Sequence, residues 1–232
     1  MSMALLQSSP PREPFLHAPA SVLWLIAVLA GVHIARLLLP PGMSEAMLEN
    51  YAFDPSVYQH GGSLLALAVP FVSHIFLHDG FAHLGANCLW LLVFGPVVAR
   101  RFGPVFFYAF FLVCGVLGAA AYLAVNWGSP GGVIGASGAI SGLMGAAIRL
   151  FPWPGQKHTQ PLAPLLSRQV VVFSGFWFLT NLLLALTGFG APGEMHQVAW
   201  QVHIGGYVAG LLLVGPFDSL HRLRTSHTIA SR

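Results

Sequence analysis

Charged residues are scarce in this chain. Asp, Glu, Lys and Arg make up only 7% of its 232 residues, whereas a soluble domain carries roughly 25%. Hydrophobic residues make up 56%, and the mean hydropathy is +0.72. A water-soluble fold of this length needs far more charge to cover its surface. The composition therefore excludes that class and indicates that the lipid bilayer surrounds much of the protein.

Basic clusters and cysteine pairs are also missing. The net charge is only +3, and the arginines are scattered beside hydrophobic runs, so the basic patch typical of nucleic-acid binding is absent and no nucleic-acid partner is expected. Cys88 and Cys114 both lie within apolar runs, and neither matches a metal-ligand spacing. We therefore expect no structural disulfide, no metal ion and no cofactor.

Apolar runs of bilayer length are what the chain does contain. A spanning helix needs about 20 mostly apolar residues, and six runs qualify: 20–38, 82–99, 105–126, 133–150, 170–188 and 198–217. We predict an all-α membrane protein, a six-transmembrane-helix bundle occupying residues 19–218. Residues 1–18 and 219–232 are expected to be cytoplasmic segments. The first run lacks a small-residue cleavage site, which favours an uncleaved anchor over a signal peptide.

One further apolar stretch, Ser63 to Leu77, is about fifteen residues long and is interrupted by Pro70 and His74. It is too short to span, and we expect it to lie at the membrane interface or to insert partway. Counting it as a seventh span would also put Arg100 and Arg101 outside, against the usual excess of basic residues on the cytoplasmic side.

The charges agree with six spans and a cytoplasmic N-terminus. Nine of the ten basic residues then face the cytoplasm: Arg12, Arg100, Arg101, Arg149, Lys157, Arg168, Arg222, Arg224 and Arg232. Arg36 is the exception. Five acidic residues face outward: Glu45, Glu49, Asp54, Asp79 and Glu194. This distribution follows the positive-inside rule.

Four polar side chains fall at a similar depth within these runs. His83 and Asn87 lie near the start of the second run, Ser137 near the start of the fourth, and His203 near the start of the sixth. All three runs cross from outside to inside, so the four residues should lie in the outer part of the bilayer. Polar groups in hydrocarbon cost several kcal/mol unless they are paired, which favours clustering around a water-filled cavity.

Serine and histidine at matched depth form the pair that nucleophilic catalysis requires. Imidazole can take the proton that serine must lose before it attacks. No Asp or Glu lies at that depth, so the sequence supports a dyad of Ser137 and His203 and no third member. Taken alone, Ser137 could be a small packing residue and His203 could bind a backbone carbonyl. His83 and Asn87, four residues apart on one helical face, could stabilise an oxyanion or satisfy loop backbone.

Glycines also mark the runs that carry this pair. Gly135, Gly138, Gly142 and Gly145 follow one another along the fourth run, and Gly206 and Gly210 lie in the sixth. Small residues at such spacing allow helix backbones to approach closely in a membrane. We expect these two helices to be neighbours, and the glycines by themselves require nothing beyond packing.

The motifs resemble those of the rhomboid family of intramembrane serine proteases. The likeness covers about residues 70–217 and consists of three motifs in order: Leu-His-Asp-Gly-Phe-Ala-His-Leu-Gly-Ala-Asn at 77–87, Gly-Ala-Ser-Gly-Ala-Ile at 135–140, and His-Ile-Gly-Gly from His203 with Gly210. The resemblance implies a six-helix bundle with an outward-opening cavity. It implies that Ser137 is the nucleophile, His203 the general base, and His83 with Asn87 the oxyanion donors.

The same resemblance implies the partners. These are single-pass membrane proteins, cut at small residues near the outer end of their helix. A substrate helix is expected to reach the site past the fifth run, beside an aromatic wall of Phe173, Phe176, Trp177 and Phe178. The loop from Gly188 to Ala199, with Phe189 and Met195, is expected to act as a lid. We expect a multi-pass protein of a bacterial inner membrane, since no transit peptide is evident.

Three positions depart from the family pattern. Val69-Pro70 stands where many rhomboids carry Trp-Arg, and Ala99 replaces a glutamate often found shortly after the second span. The Trp-Arg pair and the glutamate of those rhomboids usually brace the first loop. Ser141 stands where an aromatic ring often packs against the catalytic histidine. A catalytically inactive rhomboid-like protein that binds membrane clients is therefore the alternative. A metal-binding membrane protein or transporter, with a metal at the closely spaced His74, His78, Asp79 and His83, is a further alternative, although it leaves Ser137 and the run Gly135–Gly138 unexplained.

Overall fold

Helices make up nearly all of the regular structure. A computed structural model describes residues 18–151, 161–187 and 200–230, with side chains to residue 224, and in these parts the only β-structure is an isolated bridge between Phe53 and Val133. The five longer helices are α1 (Ala20–Leu37), α6 (Phe81–Val125), α7 (Ser137–Leu150), α8 (Arg168–Thr187) and α9 (Trp200–Ala230). The all-helical expectation is confirmed. The proposed lid, residues 188–199, lies outside the described residues.

Short helices fill the connection between α1 and α6. They are α2 (Pro41–Tyr51), α3 (Val57–His60), α4 (Leu64–Ala68) and α5 (Pro70–Ser73), followed by a 3₁₀ turn at His74–Phe76. The apolar stretch 63–77 is thus divided into short pieces, because Pro70 begins a new helix and the backbone tightens after Ser73. None of these pieces is long enough to span a bilayer.

Helix α6 contains a sharp break that divides it into two arms. Gly103 has φ 71° and ψ 173°, outside the helical region, and Pro104 follows it. Glycine tolerates the positive φ, and the residue before a proline is disfavoured in helical geometry. The arms, residues 81–102 and 104–125, are each about 33 Å long at 1.5 Å per residue. They correspond to the second and third apolar runs.

The core of the bundle is formed by α6, α7 and α9, which pack against each other at glycines. A methyl group at Gly206 of α9 would collide with the backbone carbonyl of Gly138 in α7, and one at Gly210 would collide with that of Gly142. Close backbone approach of this kind is what small residues permit in lipid. The expectation that the fourth and sixth apolar helices are neighbours is confirmed.

Two helix boundaries differ from the predicted runs. Helix α7 starts at Ser137 instead of residue 133, because Val133 is paired with Phe53 and Gly135 has φ +117°. At fourteen residues it is about 21 Å long. Helix α9 continues past residue 217 to Ala230, with Pro216 inside it, so most of the predicted C-terminal tail is helical.

Three of the described helices are long and apolar enough to cross a membrane: α1, α6 and α8. Helix α8 packs on the outside of the bundle, and most of its large apolar side chains are exposed: Val171, Val172, Phe176, Leu179, Leu182, Leu183 and Leu186. Outward-facing apolar side chains are expected where lipid is the solvent.

Candidate active site

The hydroxyl of Ser137 and the imidazole of His203 are in hydrogen-bond contact. Ser137 is the first residue of α7, and His203 lies in the first turn of α9. Their Oγ and Nε2 atoms are 2.8 Å apart, although the residues are 66 positions apart in the chain. The glycine contact between Gly138 and Gly206 brings the two helix starts together. The structure therefore brings together the two residues that the sequence singled out as a pair.

The backbone that leads into Ser137 is held from both sides. Phe53 and Val133 exchange two backbone hydrogen bonds of 3.0 and 2.9 Å, and the amide of Gly135 donates to the carbonyl of His74 at 2.8 Å. Phe53 is fully buried. These bonds keep residues 133–135 out of the helix, so that α7 begins at Ser137 and its first amides have no acceptor within the helix.

His83 and Asn87 lie on the first two turns of α6, on the same face. The Asn87 side chain is 4% exposed, and its Nδ2 donates to the carbonyl of His83 at 2.9 Å. An amide nitrogen carries two hydrogens, so one N–H of Asn87 is used here and a second can serve another acceptor. A Cβ placed on Gly135 would lie 2.7 Å from Nε2 of His83. The imidazole is therefore packed against the segment that carries Ser137.

All four predicted site residues line one cavity of about 400 Å³. Its lining also includes Trp90 of α6, Trp177, Thr180, Asn181 and Leu184 of α8, Met144 of α7 and Val202 of α9. Mostly apolar walls with a few convergent polar groups are typical of a ligand site. A hydroxyl in contact with an imidazole, in a cavity that also holds N–H donors, is an arrangement that can perform acyl transfer.

Asn181 is a residue that the sequence analysis missed. It lies on α8, is 2% exposed, and its Oδ1 is 3.0 Å from Nδ1 of His203. Its Nδ2 donates to the carbonyl of Trp177 at 2.9 Å. Asn181 is neither Asp nor Glu, the residue types expected for a third member. A single amide in the apolar run 170–188 was the available signal, because a polar group in hydrocarbon needs a partner.

The aromatic residues predicted to form a wall on α8 have a different arrangement. Phe173, Trp177 and Phe178 have ring contacts with the buried Tyr207 of α9, at centroid distances of 6.4, 6.2 and 5.5 Å. Phe176, in contrast, is 68% exposed. Most of the predicted wall therefore joins α8 to α9.

Ser141, in place of the expected aromatic ring, donates to the carbonyl of Ser137 at 2.8 Å. It lies one turn after Ser137 on α7 and also lines the cavity. A hydroxyl that binds the preceding turn of its own helix is a common way for serine to satisfy itself in an apolar setting. The side chain that contacts the far nitrogen of His203 is instead Asn181.

The loop before α6 is braced by Arg36, the one basic residue that departed from the charge distribution. Its guanidinium donates to the carbonyls of His78 and Asp79 and to the hydroxyl of Ser44, each at 3.0 Å. Arg36 is 6% exposed. The planar guanidinium group has several N–H donors, so it can bind two neighbouring carbonyls at once. This loop leads directly to His83, so the brace supports one wall of the cavity.

The cysteines and the histidine-rich segment do not form the other kinds of site considered. Cys88 and Cys114 are both free thiols, as expected. Within the described ranges, no three His, Cys, Asp or Glu side chains are arranged so that they could hold a metal ion. The metal-site interpretation of His74, His78, Asp79 and His83 has no ligand set in this part of the chain.

Comparison with known proteins agrees with the motifs. Residues 67–217, more than half of the chain, match the profile of the Rhomboid domain. RHOMBOID-like protein 1 of Arabidopsis thaliana is 30% identical over 173 residues, covering 74% of this chain and 39% of that protein. RHOMBOID-like protein 5 of the same plant is 28% identical, covering 61% of this chain and 41% of that protein. The rhomboid protease GlpG of Serratia proteamaculans is 27% identical, with shares of 65% and 48%.

The chain thus spans less than half the length of these curated relatives. The matched segment includes α6, α7, α8 and most of α9, which together carry Ser137, His203, His83, Asn87 and Asn181. Long apolar helices and the matched domain agree on a multi-span helical bundle. The chain belongs to the rhomboid family and is a multi-pass membrane protein.

Proposed function

We propose that this protein is an intramembrane serine endopeptidase that cleaves transmembrane-helix substrates near their outer, membrane-embedded end. The observation that carries the proposal is the 2.8 Å contact between Ser137 Oγ and His203 Nε2 inside a cavity of about 400 Å³. A serine becomes a nucleophile when a neighbouring base can take its proton. Membership of a family that includes rhomboid proteases supports the same conclusion.

The chemistry proceeds in two steps. In the first, Ser137 Oγ attacks the carbonyl carbon of the scissile peptide while His203 Nε2 takes the hydroxyl proton. The tetrahedral intermediate then collapses, the C–N bond breaks, and the imidazolium returns the proton to the departing amine. In the second, His203 removes a proton from water, which attacks the carbonyl carbon of the acyl ester. The bond between that carbon and Ser137 Oγ then breaks, the imidazolium returns the proton to Oγ, and the acid is released.

The negative charge that develops on the carbonyl oxygen needs donors that are already oriented. Three are available: the ring of His83, the second N–H of Asn87, and the backbone amides at the start of α7. The N-terminus of a helix also carries a partial positive charge. Losing one oriented donor typically costs about 10²–10³ in rate. His83 and Asn87 line the same cavity as Ser137, which supports this role for them.

The proposed substrates are single-pass membrane proteins with small residues near the outer end of their helix. An extended segment is required, since a peptide carbonyl inside a helix is occupied by its own hydrogen bond. A cavity lined by Trp90 of α6 and Trp177 of α8 suits lateral access from the bilayer between these two helices. The physiological setting proposed is a bacterial inner membrane.

A serine-directed probe tests the proposal. The purified protein in detergent should react with a fluorophosphonate, and Ser137→Ala should abolish both labelling and cleavage of a single-pass reporter peptide. His203→Ala should slow both. Ser129→Ala, a change in the loop after α6, is the matched control and should react normally. Labelling that persists in Ser137→Ala, or cleavage that stops when chelator is added, would refute the mechanism. An unreactive but folded protein would favour the client-binding alternative.

The proposed topology has six spans, with both ends in the cytoplasm. Two arms of α6, together with α1, α7, α8 and α9, supply the six. In a Cys88→Ala, Cys114→Ala background, Ser129→Cys should be labelled by an impermeant maleimide from outside the cell. Ser219→Cys should be labelled only after the membrane is opened. The reverse pattern, or labelling of both from one side, would contradict six spans.

A further inference from the structure

We propose that Asn181 is a positioning residue for His203. It completes a Ser-His-Asn arrangement and holds the His203 imidazole in the tautomer needed for catalysis. The role rests on the proposed function, because His203 needs one particular tautomer only if it acts as a base. Three observations carry it: the direction of the Asn181 amide, the burial of that amide, and the packing that holds α8 against α9.

The direction of the Asn181 amide follows from its neighbours. Its Nδ2 is 2.9 Å from the carbonyl of Trp177. A carbonyl only accepts, so the atom bound to it must be the NH₂ group. The other atom of the amide, Oδ1, is the one that lies 3.0 Å from Nδ1 of His203. The orientation is therefore assigned from the hydrogen-bond network.

The amide direction determines the tautomer of His203. A carbonyl oxygen of an amide cannot donate, so Nδ1 of His203 must carry the proton in this contact. In a neutral imidazole the other nitrogen then has a free lone pair. That nitrogen, Nε2, is the one 2.8 Å from Ser137 Oγ. The opposite tautomer would present an N–H to the serine hydroxyl and could not accept its proton.

An amide suits this position better than a carboxylate. Asn181 is 2% exposed, on a helix whose outer side chains are apolar. An ionised carboxylate at such a site has a large desolvation cost, whereas a neutral amide can accept from Nδ1–H at a much lower cost. When His203 takes the serine proton, the same oxygen faces the positive ring. Asparagine performs this orienting role beside histidine in other hydrolases that use a nucleophile and a base.

The helix that supplies Asn181 is attached to the helix that supplies His203. Tyr207, one turn after His203, is fully buried, and its hydroxyl is 2.8 Å from Ser174 Oγ of α8. The rings of Trp177 and Phe178 also contact Tyr207. Trp177 is one turn before Asn181 and provides the carbonyl that orients its amide. The aromatic contacts of Trp177 thus set the position of the Asn181 amide one turn later.

Kinetics of two substitutions test the role. Asn181→Leu keeps a similar volume and removes the acceptor, whereas Asn181→Asp keeps an oxygen in the same place. We expect Asn181→Leu to lower kcat for the reporter peptide by at least about tenfold with KM little changed, since a base in the wrong tautomer is ineffective. Asn181→Asp should recover only part of that loss, because a carboxylate keeps the acceptor but cannot donate to the carbonyl of Trp177 and has the desolvation cost given above. Asn126→Leu is the control, because Asn126 also donates to the carbonyl four residues before it, at 2.9 Å, but does not line the cavity.

A spectroscopic measurement tests the tautomer without any cleavage. Protein labelled with ¹⁵N-histidine, observed in micelles, should show His203 with hydrogen on Nδ1; the signal is identified by its loss in His203→Ala. Asn181→Leu should convert it to a mixture of tautomers, and Asn126→Leu should leave it unchanged.

The proposal is overturned if the unmodified protein carries hydrogen on Nε2. It is also overturned if Asn181→Leu cleaves at the full rate, or if a folded Asn181→Asp is as inactive as Asn181→Leu. If the protein never reacts with fluorophosphonate, the proposed function is refuted instead. The tautomer of His203 can still be measured in that case.

Discussion

Gly206 of α9 lies directly against the backbone carbonyl of Gly138 in α7, at a separation that leaves no room for a side chain. Gly138 immediately follows Ser137, and Gly206 is three residues after His203. The contact therefore controls the distance between the proposed nucleophile and its base. A displacement of the two backbones at this point is expected to change the 2.8 Å hydrogen bond between them.

Gly206→Ala is expected to reduce both stability and activity. The added methyl group would collide with the carbonyl of Gly138, which is backbone and cannot move aside alone. Overpacking of this kind typically costs about 1–3 kcal/mol, and the displaced α9 would lengthen the contact between His203 and Ser137. The melting temperature and the fluorophosphonate labelling rate would be measured. Gly31→Ala on α1, where a methyl group meets nothing within 4 Å, should leave both unchanged or raise the melting temperature slightly.

Gly135→Ala is expected to disturb His83 as well as the backbone. Gly135 has φ +117°, and a Cβ there would lie 2.7 Å from Nε2 of His83. Gly61→Ala is the matched comparison, since Gly61 has φ +67° with open space around it. Both substitutions should cost about 1–3 kcal/mol of backbone strain. Only Gly135→Ala should also lower kcat strongly. Equal loss of kcat in the two variants would argue against a role for the His83 contact.

Arg36→Met is expected to loosen the loop before α6. Two loop carbonyls, those of His78 and Asp79, would lose a charged donor at 3.0 Å, and hydrogen bonds to charged groups contribute about 1.5–3 kcal/mol each. We expect a lower melting temperature and slower cleavage, because the loop leads into His83. Arg36→Lys keeps the charge without the planar fork and should fall between Arg36→Met and the unmodified protein. A melting temperature unchanged by Arg36→Met would contradict the bracing role.

Asp218, at the other end of the bundle from the candidate site, is expected to make the stability of the protein depend on pH. It is 5% exposed and binds Arg101 at 2.6 and 2.9 Å and Arg222 at 2.9 Å. Burial acts to raise the pKa of the Asp218 carboxyl, but the hydrogen bonds and charges of the two arginines outweigh it, so that pKa lies below its ordinary value.

A lowered pKa in the folded state means that this stabilisation is present above the ordinary aspartate pKa of about 4 and is lost as pH falls through the lower folded value. Asp218→Asn should therefore melt at a lower temperature than the unmodified protein at pH 7. The difference should shrink as the pH is taken below about 4. Melting curves of both proteins across this range provide the check, and a difference that grows toward acid pH would show that the sign is wrong.

Hydropathy alone predicted the positions of several helices. The first and fifth apolar runs match α1 and α8 within two residues, and the gap between the second and third runs coincides with the break at Gly103. The start of α7 was not predictable, since it depends on the pairing of Phe53 with Val133, eighty residues away. Local composition carries no information about such a contact.

Part of the candidate site could also be predicted from the sequence. Ser137, His203, His83 and Asn87 stood out because polar side chains are unusual in apolar runs of bilayer length, and all four line one cavity. Asn181 meets the same criterion, but its amide has no charge to mark it as a partner for the histidine. Arg36 appeared as an exception in the charge distribution, with no indication that it binds the loop carbonyls of His78 and Asp79.

Composition and hydropathy are enough to establish a helical membrane protein, and three short motifs are enough to indicate its family, because both properties are carried by residues close together in the chain. Which atoms meet is decided only in three dimensions. The approach of α7, α8 and α9 brings Oγ of Ser137 to one nitrogen of His203 and Oδ1 of Asn181 to the other. Those contacts follow from glycine and tyrosine packing between separate helices, where the interaction free energy depends on distances that no linear pattern contains.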